Sequence, residues 1–276
     1  MKVLLKQIFR ACKIVGQQKM TFEFNLELIE TYRNNSQKSR VLTEDWVERN
    51  LYCPICGKKY VDRYENNHPA GDFYCTGCSS DFELKSKKSN SAKMPKRFND
   101  GAYATMISRI TSSRNPNFLF MTYKNNAVAN LILIPNHFFT PEIIIKRKPL
   151  GPNARRAGWV SCNIDISSIP DSGKIFIVKN QIEIDHETVI SSYARTKSLK
   201  TVNVESRGWL LDTLLCVEKI PSKDFMLDQM YAFENELKAK HPENNFVKDK
   251  IRQQLQNLRD KGFIEFVSPG HYRKTT

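Results

Sequence analysis

Two cysteine pairs, Cys53-Pro54-Ile55-Cys56 and Cys75-Thr76-Gly77-Cys78, stand eighteen residues apart and constrain this chain more than any other feature. Each C-x-x-C turn aims two sulfurs at one point, and two such knuckles at this spacing are the pattern of a structural zinc site. Gly57 and Gly77 would give the turns their tight backbone. The loop between the pairs is too poor in apolar residues to fold unaided, so tetrahedral Zn2+ is expected to close it through Cys53, Cys56, Cys75 and Cys78. A redox dithiol needs only one such pair, and a catalytic zinc keeps an open position that four thiolates would fill. Cys12, Cys162 and Cys216 are expected to be small buried apolar residues.

Metal-type cysteine spacing implies a reducing compartment. The first sixteen residues are broken by Lys6, Arg10 and Lys13, unlike a secretory leader, and no apolar run reaches the length of a membrane span. A cytoplasmic address with no membrane partner is the expectation. Lys and Arg total 43 against 29 Asp and Glu, a net +14 that favours an anionic partner such as a phosphate backbone. Charge alone does not separate DNA from RNA or an anionic membrane. At 276 residues the chain has room for one large and one small domain.

Residues 1–19 read as a basic, weakly amphipathic leader. Phe24, Leu28 and Tyr32 then predict a helix, and Asn35-Ser36 a cap for a second one reaching Asn50. A Lys/Ser-rich loop, Lys85 to Arg97, follows the cysteine-rich unit, and a further helix is predicted from about Ala102 to Ser113. Apolar, β-branched runs at Phe118 to Tyr123, Leu131 to Pro135, Val160 to Ile166 and Ile175 to Lys179 predict strands of a mixed sheet. A polar stretch, Thr196 to Ser206, marks a domain boundary, giving a domain over 20–200 and another over 201–276.

Around the second knuckle stand Asp72 and Glu83-Leu84-Lys85, charged residues in an apolar setting of Phe73, Tyr74 and Phe82. If Phe82 to Lys85 is a strand, period-two alternation turns Glu83 and Lys85 to one face and Leu84 to the other. Phosphodiester hydrolysis needs a nucleophilic water, neutralisation of charge on a pentavalent phosphorus and help for the departing oxygen, all of which carboxylate-held Mg2+ supplies. Asp72 and Glu83 are the candidate Mg2+ ligands; Lys85 would orient or help deprotonate the water and stabilise the phosphate charge. Glu44, on the predicted helix to Asn50, is a further candidate acid.

This arrangement resembles the PD-(D/E)XK nucleases, with Gly71 where their proline stands. Segments including Arg40 to Val47, Asp72 to Cys75, Phe82 to Lys88, Asp100 to Met106, Arg155 to Trp159, Arg207 to Asp212 and Asp249 to Gly262 resemble the methyl-directed restriction endonucleases of the DpnI type, and the likeness runs from Met20 onward. The resemblance implies an α+β fold: a PD-(D/E)XK nuclease core with a mixed β-sheet flanked by helices and an inserted four-cysteine zinc site, plus a C-terminal winged-helix domain. It also implies a Type II enzyme, expected as a monomer, that cuts double-stranded GATC carrying N6-methyladenine. Leu84 would then add its backbone carbonyl to the Mg2+ ligands.

Three helical patterns follow the boundary: Trp209, Leu210, Leu214 and Val217; then Leu227, Met230, Tyr231 and Leu237; then Val247, Ile251, Leu255 and Leu258, ended by Gly262. With the strand-like Phe263 to Phe266, a turn and Tyr272 to Lys274, this is the order of a winged helix. Lys248, Arg252, Gln256 and Arg259 form a polar stripe beside the buried one and, with Arg273 of the wing, are the candidate DNA contacts; Lys250 and Gln253 are further ones. Arg155, Arg156 and Trp159, on a loop between strands, would clamp or wedge DNA, or else be a core Trp with solvated arginines. His137 and His186 lack partners at ligand spacing and read as structural. Two other functions fit these features: a non-catalytic zinc-ribbon and winged-helix transcription regulator, and a nuclease for differently modified or structured DNA.

Overall fold

The computed structural model describes residues 20–66, 68–112, 115–201 and 203–275, so the leader and Cys12 lie outside the described residues. The helix predicted from Phe24 is instead a 3-10 turn, Leu26–Ile29, that buries nothing. The reason lies in the backbone: Phe24 N donates to Asn126 O (2.8 Å) and Val128 N to Phe22 O (2.8 Å), so this segment lies extended along a sheet hairpin. The second helix forms as expected: α1, Asn35–Asn50, is capped by the Asn34 side chain, which accepts from Ser36 N and Gln37 N. Its inner face buries Leu42, Trp46 and Val47.

Strands β1 (Asp62–Arg63), β2 (Phe73–Tyr74) and β3 (Asp81–Lys88) follow, so the first residues of the expected Lys/Ser loop belong to β3. Next come β4 (Arg97–Ala102), α2 (Tyr103–Thr111), β5 (Asn117–Lys124), β6 (Ala127–Ile134), β7 (Ile144–Lys146), β8 (Ser161–Asp165), β9 (Ile175–Lys179), β10 (Ile182–Glu183) and α3 (His186–Thr196). The main sheet has the order β1-β2-β3-β5-β6-β9-β10. Its β3 and β5 are parallel and its other pairs antiparallel, which makes it mixed. A smaller sheet, β4-β8-β7, is not hydrogen-bonded into it.

Both faces of the main sheet are covered, which explains the nearly continuous apolar runs of β5 and β6. On one face Leu119, Met121, Leu131 and Leu133 pack with Trp46, Val47, Phe73, Phe82 and Val189. On the other, Phe118, Phe120, Ile132 and Ile134 pack with Met106, Ile110, Ile164 and Trp209. Cys162 and Cys216 are buried in that second cluster, as expected of small apolar residues.

A 3-10 turn, Lys197–Leu199, leads from α3 to α4 (Val204–Lys219). There follow β11 (Asp224–Met226), α5 (Leu227–Tyr231), α6 (Glu234–Lys240), α7 (Val247–Asp260), β12 (Ile264–Ser268) and β13 (His271–Lys274), with the three strands ordered β11-β13-β12. The second expected helix is thus two, broken at Ala232 and Phe233. Gly262 ends α7 at φ +77, the left-handed geometry a glycine C-cap uses. The fold is α+β, with a curled mixed sheet, flanking helices, a four-cysteine cluster and a C-terminal winged helix. Among the described residues no helix is long and apolar enough to cross a membrane.

Candidate active site and metal centre

The two knuckles are copies of one another. Gly57 N donates to Cys53 O and Cys53 N to Lys58 O; Ser79 N donates to Cys75 O and Cys75 N to Ser80 O. The left-handed residue is Gly57 (φ +79) in the first and Ser79 (φ +56) in the second. Gly77 therefore serves by its size: a Cβ there would meet Lys58 at 3.3 Å and the Cys56 and Cys75 sulfurs at 3.5 Å. All four sulfurs lie within 4.8 Å of one another, with Cys53 to Cys78 and Cys56 to Cys75 at 3.6 Å. Thiolates ~2.3 Å from a tetrahedral zinc sit ~3.8 Å apart, whereas a disulfide brings its sulfurs to ~2.05 Å. The cluster fits a tetrahedral metal.

Gly71 explains itself through β3. A Cβ at this position would lie 2.6 Å from Phe82 O, so only glycine lets the chain cross so close to that strand. The crossing lets Asp72 N donate to Phe82 O (2.8 Å) and the Asp72 carboxylate accept from Leu84 N (2.7 Å). β2 pairs with β3 only at Asp81 and Phe82, so Asp72 takes over that edge of β3 where β2 leaves it. The N–H and C=O of one residue in a strand point to the same edge, so the Leu84 carbonyl also faces the Asp72 side.

Glu83 and Lys85 share the face of β3 that meets Phe118 and Phe120, as alternation predicts. Lys85 Nζ lies 2.5 Å from Glu83 Oε1 and also ion-pairs with Asp100 of β4. The other Glu83 oxygen pairs with Arg109 of α2, whose second nitrogen donates to Pro69 O (3.2 Å) on the segment leading to Asp72. Burial, joined by the Glu83 charge, raises the Asp72 carboxyl above its usual range against the opposing Leu84 amide, Lys85 and Arg109. Burial alone would lower Lys85, but Glu83 and Asp100 outweigh it and hold the ammonium well above the ordinary lysine range. Glu44 is also nearby: burial raises it, Arg63 and Arg40 lower it, and the Asp72 charge raises it further.

Asp72, Glu83 and Lys85 are thus brought together, with the Leu84 carbonyl on the adjoining edge. Hard oxygen donors dominate this set, and two carboxylates that repel each other are a fitting pair for a divalent cation such as Mg2+. Asp100 and Arg109 are the partners that sequence reasoning passed over. They come from elements 15 and 26 residues away in sequence from the groups they bind.

Arg155 and Arg156 are exposed on the loop between β7 and β8, while Trp159 is half-buried. The Arg156 guanidinium covers the Trp159 ring at 4.3 Å, and the next residue ties the loop to α2 through Tyr103 N donating to Val160 O (3.1 Å). On α7, Lys248, Arg252, Gln256 and Arg259 are exposed opposite the buried Val247, Ile251, Leu255 and Leu258. Each cation there has an acidic neighbour: Lys248 with Glu234 (3.5 Å), Arg252 with Asp249, Arg259 with Asp260 (2.9 Å), and Arg273 with Asp224 (2.6 Å). Such exposed pairs are weak and screened by solvent, so an anion can displace them. Lys250 instead lies over the Trp209 ring at 6.0 Å. His137 is buried, and His186 stacks on Tyr52 at 3.5 Å.

Residues 20–202 match the family described as the Dam-replacing family, DpnI. Residues 205–274 match the Dam-replacing HTH domain.

Proposed function

Because the chain belongs to the Dam-replacing (DpnI) family, whose activity is that of a methyl-directed restriction endonuclease, we propose that it hydrolyses double-stranded DNA at GATC sites carrying N6-methyladenine, using Mg2+. The observation that carries the catalytic part is the meeting of Asp72, Glu83 and Lys85 at one edge of β3. In this reading residues 20–200 form the nuclease domain and 201–276 a winged-helix domain that holds the same DNA.

Asp72, Glu83 and the Leu84 carbonyl would hold the Mg2+. Bound there, it would supply Lewis-acid charge to the phosphate oxygens and lower the pKa of a coordinated water. Lys85 is a hydrogen-bond donor shared by two carboxylates, so its part is to orient the attacking water and offset charge on phosphorus, while Asp100 keeps its amine aimed. Arg109 ties Glu83 to the Asp72 segment and sets the spacing of the two acids. Water adds to phosphorus and gives up a proton to solvent, the P–O bond to the leaving sugar oxygen breaks, and that oxygen takes a proton from solvent as it departs. The zinc cluster would serve structurally, since Cys75 follows Asp72 by three residues and fixes the far end of its turn.

Purified protein with Mg2+ should cut a Dam-methylated plasmid and leave its unmethylated twin intact. Asp72→Ala, Glu83→Ala and Lys85→Ala should each lower the rate by at least ~10³-fold with zinc content and fold retained. Binding without any cutting by the wild type would favour a winged-helix regulator, and equal cutting of both plasmids a nuclease of other specificity. Full nicking by any one variant would remove that residue from the catalytic set.

A further inference from the structure

The catalytic reading leaves a polar cavity unused at the start of β3. It measures about 660 Å3 and opens between the second knuckle, the ends of β5 and β6, and the turn after α3; Ser79, Ser80, Asp81, Asn117, Lys197 and Lys200 are among its walls. Asp81, its one acidic wall residue, is already engaged by the Tyr64 hydroxyl at 2.8 Å.

The local fold presents the two lysines together. Residues three apart eclipse in a 3-10 turn, so Lys197 and Lys200 project on one side while Thr196 and Leu199 are buried on the other. Lys174, Lys219, Lys240 and Lys248 each pair with a carboxylate. Among the described residues neither Lys197 nor Lys200 does; Lys197 only lies 5.6 Å from the Tyr193 ring. A second cavity of about 290 Å3 shares Lys200 and His137 with the first and adds Arg207. Arg207 donates to Phe139 O (3.2 Å), but its Nε is buried with no partner among the described residues.

Unpaired cations among hydroxyls and carboxamides suit an oxyanion and suit neither an apolar ligand nor a metal. The position is informative as well. Asp81 precedes Glu83 by two residues on one face of β3, a separation of ~7 Å along the strand. Ala70, also on the cavity wall, follows Pro69, whose carbonyl Arg109 holds. A polynucleotide strand lying over Glu83 and Lys85 therefore meets this cavity next.

We propose that the cavity is a phosphate site in which Lys197 and Lys200 grip a backbone phosphodiester close to the scissile one. The proposal rests on the nuclease reading above. Because the gripping turn leads directly into α4 of the winged helix, a phosphate held there ties the cutting site to the DNA-holding domain. It carries no base information, so methylated and unmethylated DNA are held equally by it.

The test measures DNA binding by the full chain with Ca2+ replacing Mg2+, over a range of salt, using a methylated duplex and its unmethylated counterpart. For Lys197→Gln/Lys200→Gln, the slope of log affinity against log salt should fall by about 1–2. Affinity near 0.1 M salt should fall about tenfold for both duplexes alike. Lys197→Arg/Lys200→Arg should restore both, which a merely structural role for these lysines would not predict. An unchanged slope and affinity would overturn the proposal. A second arm compares melting in inorganic phosphate and in chloride at equal ionic strength. Stabilisation by phosphate of the wild type alone, with the DNA slope unchanged, would mean a free-anion site and also overturn the DNA assignment. If the wild type cuts no DNA in Mg2+, the nuclease reading fails instead, and the salt slope still reports on the lysines.

Discussion

Gly71→Ala is the sharpest perturbation the geometry offers, because it adds one methyl at the point where the Asp72 segment crosses β3. The new carbon would lie 2.6 Å from Phe82 O and 3.2 Å from Phe82 C. Even a favourable C–H···O contact needs ~3.3 Å, so the segment must retreat by ~0.7 Å or more. That retreat pulls on both bonds that fix Asp72, its amide to Phe82 O at 2.8 Å and its carboxylate to Leu84 N at 2.7 Å. Overpacking of about 1–3 kcal/mol and a weakened hydrogen bond of about 1 kcal/mol predict a loss of about 2–4 kcal/mol. For a chain of this size the melting temperature should fall by roughly 5–15 °C. The effect on activity is larger, because misplacing a reacting group by about 1 Å costs ~10²-fold. Single-turnover cleavage of methylated plasmid, read beside melting and zinc content, makes the measurement. Gly71→Pro should do no better, since its ring occupies the same Cβ position. A rate within twofold of wild type in the alanine variant would refute the account of how Asp72 is held.

Zinc analysis of the purified chain should find one ion per molecule, and Cys78→Ser should lose it together with cleavage, because metal and Asp72 share one short loop; a metal-free, fully stable and active chain would refute this. His137 gives a pH prediction. Burial lowers its pKa from 6.5 to about 4, against a hydrogen bond to the Thr196 backbone and with help from the Lys200 and Arg207 charges. The unfolded chain therefore takes up this proton first as pH falls below 6.5, and stability is lost progressively down to about pH 4. At pH 4.5 the wild type should have lost roughly 2–3 kcal/mol relative to neutral pH from this group. Denaturant titration of His137→Asn at both pH values should show that share of the acid sensitivity removed, and an identical pH dependence in the two proteins would refute it.

What was legible in the sequence was whatever repeats at short range. The knuckles, the alternation of Glu83 and Lys85, the apolar runs of β5, β6, β8 and β9, and the stripe on α7 are each written within a few residues. What was missed depends on partners far along the chain. β4 carries no strand signal of its own because only Phe98 of its six residues is buried, and it becomes a strand by pairing with β8, about sixty residues on. α3 hides for a similar reason: Val189 and Thr196 are its only fully buried residues, and its clearest local signal is the Asp185 cap accepting from Thr188 N. The Phe24 segment carried a helical spacing but spent its backbone on the Asn126 hairpin. Asp100 lay inside a stretch that already carried the family likeness, yet nothing local marks it as the partner of Lys85.

The spatial order of these parts explains why the four-cysteine cluster and the proposed catalytic acids share one unit. Asp72 sits in a segment whose local strands, β1 and β2, are two residues each, too short to fix a side chain by pairing alone. Three restraints compensate. Upstream, Arg109 holds Pro69; at Asp72 itself the β3 backbone binds both amide and carboxylate; downstream, Cys75 enters the thiolate cluster. The middle restraint exists only because Gly71 is small, and the last only if a cation joins the four sulfurs. Without a cation on the sulfurs, one end of the segment would therefore be free while its other end is held by an ion-paired arginine. The position of Asp72 relative to Glu83 should thus loosen before the sheet itself does, since Phe118, Phe120, Ile132 and Ile134 are buried on the face whose core contains no knuckle residue.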